Sequence, residues 1–181
     1  MRPQLRTTPR PRAESSPNRS GADLHVHTTH SDGFCSPCEV VVAAARANLA
    51  AVAVTDHDTV SGVAIARDEA ARWGVELIAG VEWTAEFQGR EVHILGHFLR
   101  DDDPAVTAAS TRMRQARAER LRAMAARLAE SGLSVDLDAL ARAFPRATLG
   151  RRHLAEWLTR TGQVSSGKEA FARYLGDHGP A

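Results

Sequence analysis

The period of hydrophobic and polar positions changes several times along the chain. Residues 23–29 (DLHVHTT) alternate, which places Leu24 and Val26 on one face of a strand and His25 and His27 on the other. Ser36-Pro37-Cys38-Glu39 has the form of a capping box with proline at the first helical position, and predicts a helix through VVAAARA to about Asn48. Residues 51–55 (AVAVT) are a short apolar run of the kind found in buried parallel strands. A second helix is predicted over 61–73, stopped by Gly74. Residues 75–87 (VELIAGVEWTAEF) read as a third strand bent at Gly80, Gln88-Gly89 as a turn, and 90–99 (REVHILGHFL) as a fourth strand.

This order of strand, helix, strand, helix, strand, strand predicts an α/β fold with a parallel core. Beyond residue 100 the pattern is helical throughout. Asp101-Asp102-Asp103-Pro104 signals the start of a long helix running to about Ser131, closed by Gly132, with Leu121, Met124 and Leu128 as its apolar stripe. Shorter helices are predicted near 136–144, 149–160 and 166–175, the last opened by a second capping box at Ser166-Gly167-Lys168-Glu169. The chain thus divides into a tail (1–22), a strand-rich region (23–100) and a helical region (101–181).

Charge sharpens that division. The 181 residues carry 23 basic and 22 acidic side chains, but residues 1–22 hold five arginines against Glu14 alone, a net +4, so 18 basic and 21 acidic groups leave the rest at −3. The Pro-, Arg- and Ser-rich tail has almost no large apolar residue with which to offset its chain entropy, and is expected to be disordered. The mildly acidic body lacks the basic footprint of a DNA-binding protein. Six arginines on the long helix (Arg112, Arg114, Arg117, Arg120, Arg122 and Arg127) read as a solvated face, and no specific DNA binding is expected. No apolar run approaches the roughly 18 residues of a membrane span, so no membrane association is expected. Cys35 and Cys38 have no second pair with which to build a zinc site and read as small residues at a helix start. Nothing calls for an oxidising compartment, which leaves the cytoplasm as the expected location.

The candidate chemistry lies in the strand-rich region. His25 and His27 sit on one face of one strand, about 6.6–7 Å apart at the backbone, a spacing that lets both imidazoles reach one ion. Asp32 follows in the loop, His57 stands in TDHD just past the second strand, Glu82 lies on the third strand and His93 on the fourth. Imidazole and carboxylate together suit Zn, Mn or Fe(II). A bridging carboxylate, with Glu82 best placed, could hold two ions about 3.5–4 Å apart. His30 reads as an exposed loop residue, and His97 shares the strand parity of His93.

The segments DLHVHTTHSDG, AVTDHDT, GVEWTAE and EVHILG resemble the successive motifs of the PHP family (polymerase and histidinol phosphatase domain), and within it the small bacterial phosphoesterases of nucleotide-phosphatase or RNase type. The resemblance covers about 23–181 and implies the N-terminal portion of a distorted (β/α)7 barrel followed by a helical insert. It implies two or three divalent metals (Mn, Zn or Fe): His25, His27 and Glu82 at one, Asp32 and His57 at a second, Glu82 and His93 at a third. Asp56 and Asp58 are expected to orient ligands from behind, and Arg151 or Arg152 to meet substrate phosphate.

The implied function is a metal-dependent phosphoesterase acting on phosphorylated small metabolites, nucleotides or short RNA ends. Metal-activated hydroxide would be the nucleophile, with no protein nucleophile. Histidinol-phosphate phosphatase is an alternative from the same family. Residues 23–99 supply four strands where the family barrel has seven, and the family's later His and Asp-x-His ligands have no counterpart here, since His153 and His178 fall in the insert. The sequence is therefore expected to be truncated, and the second alternative is an inactive fragment that binds metal or a partner without turnover.

Overall fold

The computed structural model describes residues 19–176 and 179–181. The expected disordered tail lies mostly outside the described residues, as does His178. Residues 19–22 do not belong to it. The Arg19 guanidinium donates to the carbonyls of Ala45, Leu49 and Trp73, which tie up orphan acceptors where two helices end, and Ala22 already begins the first strand.

The elements follow the predicted order: β1 (Ala22–Val26), α1 (Pro37–Arg46), β2 (Ala51–Val54), α2 (Ser61–Trp73), β3 (Glu76–Phe87), β4 (Arg90–His97), α3 (Pro104–Glu130), α4 (Leu137–Ala143), α5 (Arg151–Arg160) and α6 (Gly167–Ala170), which runs on into a π-helical turn over Phe171–Leu175. The Ser36–Glu39 capping box forms reciprocally at the start of α1. The second box forms only by half. Ser166 Oγ caps the Glu169 amide, but the Glu169 carboxylate turns to the amide and hydroxyl of Ser165, one residue earlier.

The four strands form one sheet in the order β1-β2-β3-β4. The pairs β1–β2 and β2–β3 are parallel, and β3–β4 is an antiparallel hairpin. Strand β3 is long because it serves two neighbours. Glu76–Ala79 pair with β2, and from Gly80 onward the strand pairs with β4. The hairpin closes through Gln88 and Gly89, both at positive φ (53° and 73°), the type I′ geometry that matches strand twist. The sheet curls enough for His97 on β4 to reach the Leu24 carbonyl on β1 at 2.7 Å. His97 thereby stands outside the His/carboxylate donor clusters found among the described residues. The architecture is a curled half-barrel of α/β type with a helical body beside it, in agreement with a partial barrel.

Two kinds of core hold it. Against the sheet, α1 and α2 pack small side chains: Val41, Val54, Val63, Ala66 and Ala70 in one cluster, and Val40, Ala44, Val52 and Val75 in another. The helical body has its own larger core, in which the α3 stripe of Leu121, Met124 and Leu128 meets Leu140, Leu154, Leu158 and Leu175. No helix among the described residues is long and apolar enough to cross a membrane.

Candidate metal centre

The site is assembled where strands end. β1 stops at Val26, and the chain drops into a loop that places His27 next to His25. Their Nε2 atoms lie 3.1 Å apart, and each is 2.9 Å from Glu82 Oε2. Glu82 lies in the antiparallel part of β3, opposite Leu95, while His93 lies opposite Thr84. His93 is thus a diagonal neighbour of Glu82 on one sheet face, and its Nδ1 approaches Oε1 at 2.8 Å. Just beyond β2, a single bridge between the His57 and Glu82 backbones brings His57 Nδ1 to 3.7 Å from Glu82 Oε2. Asp32 closes the other side, 3.5 Å from His27 Nδ1 and 3.9 Å from His57 Nε2.

All six predicted ligands therefore come together. Their donor atoms fall into three overlapping triads, His25/His27/Glu82, His27/Asp32/His57 and His57/Glu82/His93, each with its atoms within 4.8 Å of one another. These are the groupings implied by resemblance, with His27 added to the second and His57 to the third. The donor set fits divalent cations. Imidazole nitrogens crowd around two carboxylates, and the buried His57 Nδ1 has no hydrogen-bond partner. Burial, and then the Arg117 guanidinium, push the His57 imidazole down to about 4, so it is a neutral donor at pH 7. Burial acts to raise the Glu82 carboxyl, but hydrogen bonding from His25 and the nearby imidazoles outweigh it, and the group is held below the usual carboxylate range.

The two aspartates beside His57 face opposite ways. Asp56, fully buried, accepts from the Thr28 amide (2.7 Å), the Thr28 hydroxyl (2.7 Å) and the Ser31 hydroxyl (2.6 Å). Ser31 Oγ in turn lies 3.2 Å from His27 Nδ1, so Asp56 steadies His27 through one hydroxyl. Asp58 holds a positive φ of 56° and accepts from the amide and hydroxyl of Thr84, both at 2.8 Å, which ties the His57 loop to β3. Neither touches the His57 ring, so any orienting action on that residue runs through the backbone. The loop before α1 is equally tight. A side chain at Gly33 would meet the His27 carbonyl oxygen at 2.2 Å, so only glycine fits where the loop folds back on the ligand strand.

His30 corrects the expectation of an exposed loop residue. It is only 5% exposed, with Nδ1 2.7 Å from Ser61 Oγ and its carbonyl accepting from the Thr148 amide. The helical body packs down on this loop and removes it from water.

Sequence reasoning missed Arg117, Arg120 and Glu91. Arg117 donates to Asp58 (2.8 Å) and Thr84 (3.0 Å), and its Nε reaches the Leu149 carbonyl. Arg120 pairs with Glu91, which also lies 3.2 Å from His93 Nε2 and 3.5 Å from Arg151 Nη2. A signal for the arginines was present. Arg117 and Arg120 stand four residues before Leu121 and Met124, next to the apolar stripe, and at the half-buried Arg117 a charge needs a partner. Five of the six arginines of α3 do lie on a solvated face: Arg112, Arg114, Arg120, Arg122 and Arg127 are exposed, and Arg117 alone is half-buried. Asp32, His57, His93, Arg117, Arg120 and Arg151 line a cleft of about 280 Å³ between sheet and helices. Both predicted phosphate-binding arginines line this cleft: Arg151 faces Glu91, and Arg152 stacks over the Phe34 ring at 3.9 Å.

A curled α/β sheet with overlapping His/carboxylate triads at its strand ends, opening on an arginine-lined cleft, places this protein among α/β folds with a donor set able to hold divalent cations. The model of the PHP domain matches residues 23–143, and the chain belongs to that family. It is 36% identical over 154 residues to a 5'-3' exoribonuclease of Haemophilus influenzae, covering 85% of this chain and 56% of that protein. Identity is also 36% over 154 residues to a 3',5'-nucleoside bisphosphate phosphatase of Chromobacterium violaceum, covering 84% and 54%. Among solved structures, a protein of Bifidobacterium adolescentis assigned as a metal-dependent phosphoesterase superposes with a TM-score of 0.79 at 30% identity, over 90% of this chain and 57% of that one. The chain spans about half the length of the relatives it matches.

Proposed function

We propose that this chain carries the metal-binding half of a phosphoesterase site that hydrolyses terminal phosphates of nucleotides or short RNA. The observation that carries the reading is the meeting of three donor triads, all within reach of Glu82 or Asp32, with one wall of an arginine-lined cleft. Relatives named as exoribonuclease and nucleoside bisphosphate phosphatase support a phosphorylated substrate. In this reading His25, His27, Asp32, His57, Glu82 and His93 hold two or three divalent cations such as Mn, Zn or Fe(II). Those cations, when bound, supply an activated water and neutralise charge on phosphate oxygens. Asp56 acts through Ser31 to hold the His27 ring, and Asp58 holds the His57 loop against β3. Arg117, Arg120 and Arg151 bind and orient phosphate oxygens in the cleft, and Arg152 orders the loop at Phe34. Two unpaired cysteines fit a reducing, cytoplasmic setting.

The test is to load the chain with Mn²⁺, quantify bound metal, and measure phosphate release from nucleoside 3',5'-bisphosphates and short 5'-phosphorylated RNA. His25→Ala/His27→Ala is expected to remove at least one equivalent of metal and to abolish turnover. Turnover that survives the double change overturns the mechanism. Full metal loading without turnover favours a chain that binds metal but does not complete the reaction.

A further inference from the structure

We propose that Glu91 is a specificity-determining residue: its carboxylate occupies the anion seat made by Arg120 and Arg151 and reserves it for a doubly charged terminal phosphate over a singly charged internal diester. This rests on the phosphoesterase reading of the same cleft.

Glu91 stands on β4 two residues before His93, so both side chains leave the same sheet face. One carboxylate oxygen bonds Arg120 Nη1. The other lies 3.5 Å from Arg151 Nη2 and 3.2 Å from His93 Nε2. Two guanidinium groups from α3 and α5 thus converge on one acidic group beside a candidate metal ligand. Their mutual repulsion calls for an anion between them, and burial together with Arg151 depresses the Arg120 guanidinium. Glu91 answers two positive charges with one negative charge. A terminal phosphate brings nearly two charges and three acceptor oxygens, which suit paired arginines better than a carboxylate does. An internal diester brings one charge and must displace an equal one, so it gains little. Glu91 therefore sets a threshold of charge at the mouth of the metal centre.

The substitution Glu91→Gln isolates this effect, because glutamine keeps an acceptor for His93 Nε2 and removes only the charge. Binding to the metal-free 181-residue chain is read by NMR titration with methyl phosphate and with dimethyl phosphate, under mildly alkaline conditions. The unmodified chain is expected to prefer methyl phosphate at least tenfold. Glu91→Gln is expected to tighten dimethyl phosphate about tenfold and to narrow that preference. An unchanged ratio of the two affinities overturns the proposal. Arg120→Gln provides an independent arm: it is expected to weaken methyl phosphate about tenfold, and unchanged binding also overturns the proposal. The two readings fail separately. Absence of hydrolysis by the metal-loaded chain, with the affinity ratio shifted as described, removes turnover by this chain and upholds the role of Glu91. Hydrolysis with an unshifted ratio removes the role of Glu91 alone.

Discussion

The half-barrel and the helical body bury different things. Against the sheet the core is made of valines and alanines, and the strand ends bury Thr28, His30, Ser31, Glu82 and the whole run Thr55–Thr59. In the helical body the largest fully buried side chains are Leu128, Leu140, Leu154, Leu158 and Leu175. Buried polar groups demand partners with exact geometry, whereas leucines demand only volume and fit. The first region is built to hold donors in place, the second to be stable. They meet through polar links: Arg117 to Asp58 and Thr84, Arg120 and Arg151 to Glu91, and the Thr148 amide to the His30 carbonyl. On the proposed reading, the cleft at this seam would draw its anion-binding groups from the stable partner and its metal donors from the polar one.

The largest test of this contrast is Leu154→Ala, at a position with no exposure. It should cost about 3–5 kcal/mol in urea unfolding through lost burial and the cavity left behind. Metal affinity of the variant, measured under folding conditions, should stay within a few-fold of the parent. A comparable loss of both would show that the two regions are not separable as described.

Next in size is Arg117→Ala. It strips the cation from Asp58, whose side chain is 1% exposed, and should destabilise by about 3 kcal/mol. Arg117→Ala combined with Asp58→Asn should recover part of that loss, because the uncompensated charge is gone. Strict additivity in the cycle would remove the pair from the seam.

The smallest expected effect is on pH dependence, with one contributor in each region. His57 is pushed down to about 4, first by burial and then by Arg117, and His153 is lowered mainly by burial. Both are neutral in the fold but titrate near 6.5 when unfolded. Below that pH the unfolded chain binds more protons, so stability is fully present above about 6.5 and falls as pH drops toward about 4. Thermal unfolding of the metal-free chain across this window should show a decline that His57→Gln and His153→Gln each flatten. A flat profile for the parent chain would count against the burial of both imidazoles.

Much of this was legible in the chain. Alternation exposed His25 and His27 as a pair, capping residues marked α1 and α3, and helical spacing picked out Leu121, Met124 and Leu128, because local backbone preferences and a one-sided core leave direct marks on residue order. The six candidate ligands could be collected because strand ends are where such folds converge. The second capping box failed in detail because Ser165 offered Glu169 a competing pair of donors. His30 was misread because its burial comes from α2 and the Thr148 segment, distant in sequence.

By itself the sequence determined the order of elements and the apolar stripe of the long helix, which depend on neighbours within a few residues, and it supplied the His and carboxylate groups able to bind metal, which the strand ends of such a fold bring together. Only the tertiary structure decided that β3 changes partners at Gly80, that Asp56 and Asp58 serve different sides of His57, and that Glu91 sits between Arg120 and Arg151. The polar pairings among them join residues roughly 25 to 60 positions apart, and electrostatic pairing at such separation is chosen by the packing of whole elements and not by any local pattern.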